Sequence, residues 1–476
     1  MSARVNDLFH CTQSDGDSTV GLYDFLSEPL AKKKPTDSSY SVAALDDSYL
    51  NSVAGTSAGY SADSDADDLF VEDSNRHLAE LMMNPFTVKA LDSIIFQMDM
   101  PDDQRFSQFT KMFRPKMAHQ IFGCNEIITG YRNLQITLNI LPNSFHVRLN
   151  LIYDEMLNNS RRGEIADNIG EKFMEWFPHK TDSYEAYEDL KAKEDYTKMF
   201  GHNIVSFKDE TEKSKFHITV CDRKDLDFLE FHKRFQGLIV FFIDAASIID
   251  VTDRNWYYFY VYKDVKLGDK RVGHFPIGFC TVYNFIASGK VRIAQLFILP
   301  NFQMRGLGTR LLGTVYKYFN AVINAQYITV ESPCEEFTIM RDKLDLQLIL
   351  NNSVFNSMNV IVGYSLKMET AAKMICKICP TQIKHLYYIL RCFYTKGDPE
   401  QYEKFIMYMK KEVHFTYKKK LSRVKTTMNE EEKITRLKRI IVEDCLVSRR
   451  IHNDVKKFLK SIKPQLIFLA RVLKEK

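Results

Sequence analysis

The alternation of hydrophobic and polar positions predicts that ordered structure begins near Asn84 and opens with a β-hairpin. Alternating runs occupy Leu134–Leu141 and Phe145–Tyr153, and the turn-forming residues 142–144 separate them. A period of two is typical of strands that bury one face. A polar stretch with helix-forming composition follows at Arg161–Lys193.

From about Val205 the pattern predicts strands interleaved with helices. Helical spacing of apolar residues covers Asp225–Ile248 and returns after Gly306. The predicted strands lie at Phe207, Phe216–Val220, Trp256–Asp264, Gly273–Tyr283, Val291–Leu299 and Tyr327–Val330. After Gly306 the residues of one helical face are Leu307, Leu311, Val315, Tyr318 and Val322. This succession indicates an α+β or mixed α/β fold.

The chain from about Glu369 to its end is predicted to be helical and highly charged. One apolar face is formed by Ile383, Tyr387, Ile389, Leu390 and Phe393. A second long helix is predicted at Val424–Val447.

Charge is distributed unevenly, although the net charge is only +4. Residues 1–80 hold 15 acidic and 5 basic residues, whereas residues 401–476 hold 21 basic and 9 acidic ones. The Ser-, Asp- and Gly-rich segment 1–83 is predicted to be disordered, because it cannot bury enough apolar surface to offset its chain entropy. This segment is expected to be a solvated tail or a contact for a basic protein. The basic end is expected to be a solvated helix face, a nuclear import signal, or a contact for nucleic acid or an acidic partner.

Two classes of protein are disfavoured. No run of about 18 apolar residues is present, so a membrane protein is not expected. The nine cysteines form no framework spacing, which favours free thiols in a reducing compartment over disulfides. Cys376 and Cys379 form a single C-x-x-C pair, for which core thiols are favoured over a metal site.

The segment that carries recognisable chemistry is a strand, a proline and a glycine-containing turn that enters a helix. Pro300 ends the strand, and Gln303-x-x-Gly306-x-Gly308 leads into the helix. The first turn of a helix has unpaired N–H groups and a positive dipole end, so it can bind a phosphate. The two glycines would let that phosphate approach the backbone. The spacing is neither that of a Walker A loop nor G-x-G-x-x-G.

The motif Gln303-x-x-Gly306-x-Gly308 resembles the acetyl-CoA motif of the GNAT acetyltransferases. The wider segment 295–312 resembles the type B histone acetyltransferase catalytic subunits in particular. The resemblance covers about residues 84–425 and includes the blocks His119–Gly123, Gly130–Tyr131, Ala246–Asp250 with Trp256 and Phe259, Thr281–Asn284, Ile328–Glu331, Asp398–Tyr402 and Tyr417–Lys420.

This resemblance implies a GNAT catalytic core at 201–350, between an N-terminal α/β histone-contacting domain at 84–200 and a basic helical domain at 351–476. It also implies acetyl-CoA as co-substrate, with no metal. The backbone at Leu296, Phe297 and Ile298 would pair with the pantetheine arm. The pyrophosphate would bind at Gln303, Met304, Arg305, Gly306, Leu307, Gly308 and Thr309. Cys334 and Lys343 match positions at the nucleotide end, although Lys343 also fits an ordinary surface lysine.

Catalytic and substrate residues follow from the same resemblance. Glu331 matches the general base, and Asp244 matches a second carboxylate that is a glutamate in the family. Ser332 stands where the family has an aspartate. The residues matching histone-tail contacts are Glu126, Tyr283, Asn284 and Phe285, while Cys124 and Asn125 replace neighbouring family acids.

The implied substrate is the free histone H4 tail, and the implied partners are H4 with H3 and a WD-repeat histone chaperone. Localisation in nucleus and cytoplasm is expected, without direct binding of nucleic acid. Two alternatives stay open. One is a GNAT acetyltransferase that acts on a lysine of a non-histone protein. The other is a catalytically impaired histone-binding adaptor, which the departures at Ser332, Asp244 and Cys124 would favour.

Overall fold

The computed structural model describes residues 83–474, except for residues 102–111, 160–163, 210–213, 268–270, 324 and 423–449. The disorder predicted up to residue 82 and the helix predicted at Val424–Val447 therefore lie outside the described residues. Within the described part of the chain, no helix is both long enough and apolar enough to span a membrane.

The N-terminal part is built on a four-stranded sheet of order β3-β2-β6-β7, in which β2 and β6 are parallel. As far as the chain is described, the N-terminal part has ten strands, and those outside this sheet form two-stranded pairs. The strands are β1 (Thr87–Lys89), β2 (Ile94–Met98), β3 (Met112–Phe113), β4 (Ile127–Thr129), β5 (Tyr131–Arg132), β6 (Gln135–Ile140), β7 (Val147–Ile152), β8 (Glu155–Met156), β9 (Asn158–Asn159) and β10 (Glu164–Ile165). The predicted hairpin is confirmed as the antiparallel pair β6–β7.

Short helices connect these strands: α1 (Ala90–Ser93), α2 (His119–Phe122), α3 (Ile169–Met174) and α4 (Tyr184–Ala192). The stretch Arg161–Lys193 thus holds two short helices and the strand β10 instead of one continuous helical run. The side chains of Asn168 and Ser183 each cap a separate helix start, which explains the interruption.

The second sheet has six strands in the order β11-β12-β13-β14-β15-β16. They are β11 (His202–Lys208), β12 (Lys215–Cys221), β13 (Trp256–Lys266), β14 (Val272–Phe285), β15 (Lys290–Ile298) and β16 (Tyr327–Val330). All neighbours are antiparallel except β15 and β16, which are parallel. The strands predicted from residue 207 onwards are therefore confirmed.

The helix predicted at Asp225–Ile248 is shorter than its apolar pattern suggests. Helix α5 (Leu226–Gln236) passes into a 3-10 turn at Gly237–Phe241, and the chain then runs without regular structure to β13. A side chain at Gly237 would lie 2.4 Å from the carbonyl oxygen of Trp176, so this glycine permits close packing. Residues 238–241 are all apolar and buried, so the alternation of polar and apolar positions that marks one helix face is lost there. The sequence pattern therefore could not show where the helix ends.

Aromatic side chains fill both sides of the six-stranded sheet. The helix α6 (Leu307–Ala321) covers one face, where Tyr318 packs against Phe259. On the other face α5 places Phe235 against Phe279. The same Phe235 stacks at 3.8 Å on Phe145 from the N-terminal part, so the two sheets share one core.

The C-terminal helices are α7 (Glu335–Ile349), α8 (Ser357–Val362), α9 (Leu366–Cys376), α10 (Pro380–Thr395), α11 (Pro399–Ser422) and α12 (Lys463–Val472), and residues 450–461 are also helical. A fully buried carboxylate, Asp342 on α7, joins three of them. It accepts hydrogen bonds from Gln382 (2.9 Å) and His385 (2.9 Å) of α10 and from Gln465 (2.8 Å) of α12. These bonds connect the C-terminal helices to the helix that follows β16.

Candidate active site

Strand β15 pairs with β16 over only the first half or so of its own length, because β16 is shorter. They pair only over Lys290–Ile293, and the last link is the bond from the Glu331 N–H to the Ile293 carbonyl (2.9 Å). Beyond this point β15 pairs with β14 alone. In the described part of the chain, no strand pairs with the outer edge of Leu296–Ile298. This edge can therefore hydrogen-bond an extended ligand.

The turn after β15 presents the start of a helix to the same opening. Residues Pro300–Phe302 form a 3-10 turn, and Met304 (φ 59°) and Gly306 (φ 77°) adopt left-handed backbone conformations. Helix α6 then begins at Leu307 without a side-chain cap. Its first N–H groups remain available for an anion.

Side chains of the turn hold it in place. Gln303 Nε2 donates to the Ile298 carbonyl (2.8 Å), which links the turn to the end of β15. Arg305 donates to the Asn301 carbonyl (3.0 Å), and its guanidinium lies 5.4 Å from the ring centre of Phe302. Arg305 is thus folded against the turn and half-buried.

Gly308 has a packing role in addition to the predicted phosphate role. A Cβ at this position would lie 2.9 Å from Met340 Sδ on α7 and 3.9 Å from Leu296 Cδ2. The glycine therefore lets α6 and α7 approach each other closely. Of the other predicted cofactor residues, Leu307, Phe297 and Ile298 are buried, and Leu296 and Thr309 are half-buried.

Glu331 follows β16 at the point where the strands separate. Its side chain is 52% exposed, and its Oε1 lies 3.9 Å from Nη1 of Arg292. The Arg292 guanidinium also lies 5.0 Å from the ring centre of Phe285. Arg292 therefore contacts both the predicted base, Glu331, and a predicted substrate-binding residue, Phe285. The next residue, Ser332, has a positive φ of 35°.

The predicted substrate residues of β14 lie in a row of aromatic rings. Tyr283 packs edge-on against Trp256 (4.9 Å) and against Phe285 (4.7 Å). The Asn284 N–H donates to the Asn255 carbonyl (3.0 Å), which holds the end of β14 against the loop before β13. Phe285 is 37% exposed, so its ring can contact a bound chain.

Asp244 and Glu126 are brought together by a third residue, His119. His119 Nε2–H donates to Asp244 Oδ1 (2.9 Å), and His119 Nδ1 lies 3.7 Å from Glu126 Oε1. Glu126 Oε1 also accepts the Ala118 N–H (2.6 Å). A residue predicted as catalytic thus shares one polar cluster with a residue predicted to bind substrate.

The segment that carries Asp244 lies along β15. On one side of Asp244, Phe242 stacks on Phe297 with 5.2 Å between ring centres. On the other side, Gln295 Nε2 donates to the Ser247 carbonyl (2.8 Å). Because β15 holds both ends of this segment, Asp244 and Glu331 both lie beside the same strand.

The start of α7 contacts the N-terminal part. Lys116 Nζ lies 2.7 Å from Glu336 Oε1, and this hydrogen bond lowers the pKa of Glu336 to about 2. Cys334 is exposed at the N-cap of α7, and Lys343 lies half-buried further along the helix. Cys334 thus adjoins the opening near Glu331, whereas Lys343 is more than two helical turns away.

The remaining sequence predictions concern thiols. Cys376 is buried at the end of α9, and burial raises the pKa of its thiol. Cys379 precedes α10 as its N-cap residue and is half-buried. The sequence pattern does not indicate Arg292 or Trp256 as site residues, and His119 belongs only to a longer motif. Strand register could have indicated Arg292, which lies opposite Tyr283 on β14.

Three family models match the chain. The model described as "Acetyltransferase (GNAT) family" matches residues 229–334, which include the turn and Glu331. The model "Histone acetyl transferase HAT1 N-terminus" matches residues 86–244, and "Histone acetyltransferase type B catalytic subunit, C-terminal" matches residues 341–392. Together they extend from the first strand to the C-terminal helices.

Curated relatives agree with these models. The mouse protein named histone acetyltransferase type B catalytic subunit is 28% identical over 377 residues, which cover 77% of this chain and 89% of the relative. The human protein of the same name is 28% identical over 378 residues, covering 77% and 88%. The one from Debaryomyces hansenii is 30% identical over 260 residues, covering 51% and 61%.

Proposed function

Because the chain belongs to the family of type B histone acetyltransferase catalytic subunits, we propose that it transfers acetyl groups from acetyl-CoA to lysines of the free histone H4 tail. One observation carries the proposal. The opening between β15 and β16 has a helix start that can bind a phosphate near one end and the carboxylate of Glu331 at the other.

The opening fits an extended acyl carrier. The free edge of Leu296–Ile298 would pair with the amides of the pantetheine arm. The turn from Gln303 to Thr309 would bind the pyrophosphate through backbone N–H groups. A backbone N–H of β15 would also donate to the thioester carbonyl, where negative charge develops during attack.

A lysine substrate arrives as an ammonium with a pKa near ~10.4 and must lose a proton before it attacks. Glu331 is the proposed acceptor, directly or through one water. The amine nitrogen then bonds to the acetyl carbon while the carbon–sulfur bond breaks, and the leaving thiolate takes up the proton that the nitrogen loses and departs as the thiol. Asp244, joined to His119, is the second proposed carboxylate.

The surroundings of these carboxylates suit a basic peptide. Glu126 and Asp244 would attract its charge, and the rings of Tyr283 and Phe285 would cover the methylenes of the lysine. In the family, type B enzymes modify newly made histones. We therefore propose H4 with H3 as substrate complex, a WD-repeat histone chaperone as partner, and both cytoplasm and nucleus as locations.

A transfer assay with radiolabelled acetyl-CoA tests this assignment on three acceptors: free H4, nucleosomes and a polyamine. We expect label on free H4, little on nucleosomes and none on the polyamine. Equal labelling of nucleosomes would contradict the type B assignment. Acetyl-CoA binding without transfer to any histone would instead support the alternative of an impaired adaptor.

A further inference from the structure

Two histidines and an aspartate converge on one face of the six-stranded sheet, and none of them is among the residues of the proposed acetyl-transfer site. His217 lies on β12, Asp264 on β13 and His274 on β14. Asp264 and His274 are directly paired across β13 and β14, and His217 pairs with the position two residues before Asp264. Side chains two residues apart on a strand share a face, so the sheet register itself brings the three together.

Both imidazoles contact the single carboxylate. His217 Nε2 lies 3.0 Å from Asp264 Oδ2, and His274 Nδ1 lies 2.7 Å from Asp264 Oδ1. Burial alone would raise the pKa of Asp264, but the hydrogen bonds from the two histidines hold it below its usual range. Each oxygen of the carboxylate thus faces a different imidazole.

We propose that His217, Asp264 and His274 form a binding site for a divalent transition-metal ion of the zinc type. One nitrogen or oxygen of each side chain lies within 4.8 Å of the others. Zinc bonds of ~2.0–2.1 Å in a tetrahedron separate neighbouring ligand atoms by about 3.3 Å. The two nitrogen–oxygen separations, 3.0 and 2.7 Å, would widen by a few tenths of an ångström, and ligand atoms as far as 4.8 Å apart would close by about 1.5 Å.

Two polar side chains, Ser206 and Asn203, lie at Nδ1 of His217, and Asn203 Nδ2 is 3.3 Å from it. Binding through Nε2 leaves the proton on Nδ1, and Ser206 Oγ lies 2.9 Å from that nitrogen, where it can accept. Such a partner orients a metal-bound histidine and raises its affinity for the ion. Ser206 is paired directly with His217 across β11 and β12, so this support also comes from the sheet register.

The chemistry and the exposure of the site define the kind of ion. Two imidazoles with one carboxylate suit Zn²⁺, Co²⁺ or Ni²⁺, whereas Mg²⁺ and Ca²⁺ prefer oxygen ligands. His217 is 7% exposed, Asp264 16% and His274 22% at the side chain. Solvent therefore reaches the site on the side of His274 and can supply a fourth ligand. The proposal does not depend on the proposed acetyl transfer.

Calorimetry of the full chain, freed of any histidine tag, tests the site with ZnCl₂ at pH 7. We expect one Zn²⁺ per chain and no comparable binding of Mg²⁺. Asp264→Asn and His274→Gln should each weaken binding by more than ~100-fold, beyond the range for loss of an outer partner. Ser206→Ala should weaken it about 10-fold. The exposed His414 lies on α11, outside the cluster, so His414→Gln should leave it unchanged.

Two further measurements test where the ion binds and whether it stabilises the folded protein. A crystal grown with Zn²⁺ should show an anomalous peak between His217 and His274, and the ion should raise the melting temperature of the unmutated chain but not of His274→Gln. Zinc binding that survives Asp264→Asn and His274→Gln would overturn the proposal. The proposal would also be overturned if the protein is folded by circular dichroism but binds no Zn²⁺ at pH 7. The three side chains would then form a hydrogen-bonded group only.

Discussion

Replacing Glu331 by glutamine removes its basicity and keeps its shape, so it tests the proposed proton acceptor directly. A general base contributes typically about 10²–10⁴-fold to a rate. Glu331 is 52% exposed and contacts only a half-exposed arginine at 3.9 Å among the described residues, so solvent can replace it in part. We therefore expect a fall in kcat of about 10²-fold at pH 7, near the lower end of that range.

The loss should depend on pH in a defined way. Without the base, the variant must use lysine that is already neutral, and this fraction rises about tenfold per pH unit below the lysine pKa of ~10.4. The ratio of the two kcat values should thus shrink from about 100 at pH 7 to about 10 at pH 8. Acetyl-CoA affinity should stay unchanged.

The assay is steady-state acetylation of an H4 tail peptide between pH 6.5 and 9, with calorimetry of acetyl-CoA binding in parallel. Glu335→Gln is the matched control, because Glu335 is an exposed glutamate in the first turn of α7. Asp244→Asn should be milder than Glu331→Gln, and the double variant slower than either. Near-normal kcat for Glu331→Gln at pH 7, or a loss that stays constant with pH, would refute the assignment.

Three further predictions concern the cofactor turn and the core. Gly306→Val should weaken acetyl-CoA binding in calorimetry by about 5- to 30-fold, since a side chain in the left-handed conformation costs about 1–2 kcal/mol. Gly363→Val, at another positive φ with open surroundings, should leave this binding unchanged. Burial lowers the pKa of His232 to about 3, so the stabilisation that the neutral side chain gives is complete above pH 6.5. Below pH 6.5 the free energy of unfolding should fall by about 1.4 kcal/mol per pH unit. In urea titrations His232→Phe should flatten this dependence on pH, and an unchanged slope would contradict the reasoning. Asp342→Ala should lower the free energy of unfolding by about 3 kcal/mol, measured by urea denaturation, because it leaves three donors unpaired.

The six-stranded sheet could be predicted because its strands carry long runs of β-branched and aromatic residues, as at Trp256–Asp264. The turn that leads from β15 into α6 could be predicted because glycine, proline and helical spacing occur within a few residues. The end of α5 could not, since residues 238–241 are buried all round and lose the period that marks a helix face.

Long-range contacts explain the rest of what the sequence does not reveal. His119 meets Asp244 across 125 positions, and His217 meets Asp264 across 47. No local spacing encodes such pairs, because they depend on strand register and on how the N-terminal part packs against the core. The role of Gly308 likewise depends on Met340, which comes from a helix beyond the next strand.

The buried carboxylate on α7 has a consequence for dividing this enzyme into fragments. A protein cut after the segment matched by the GNAT model, at residue 334, would lack α7 and the side chain that packs against Gly308. A protein cut before Gln465 would keep α7 but remove one of the three donors that neutralise Asp342 in the interior. We therefore expect a fragment that ends before α12 to give less soluble protein on expression than one that includes α12.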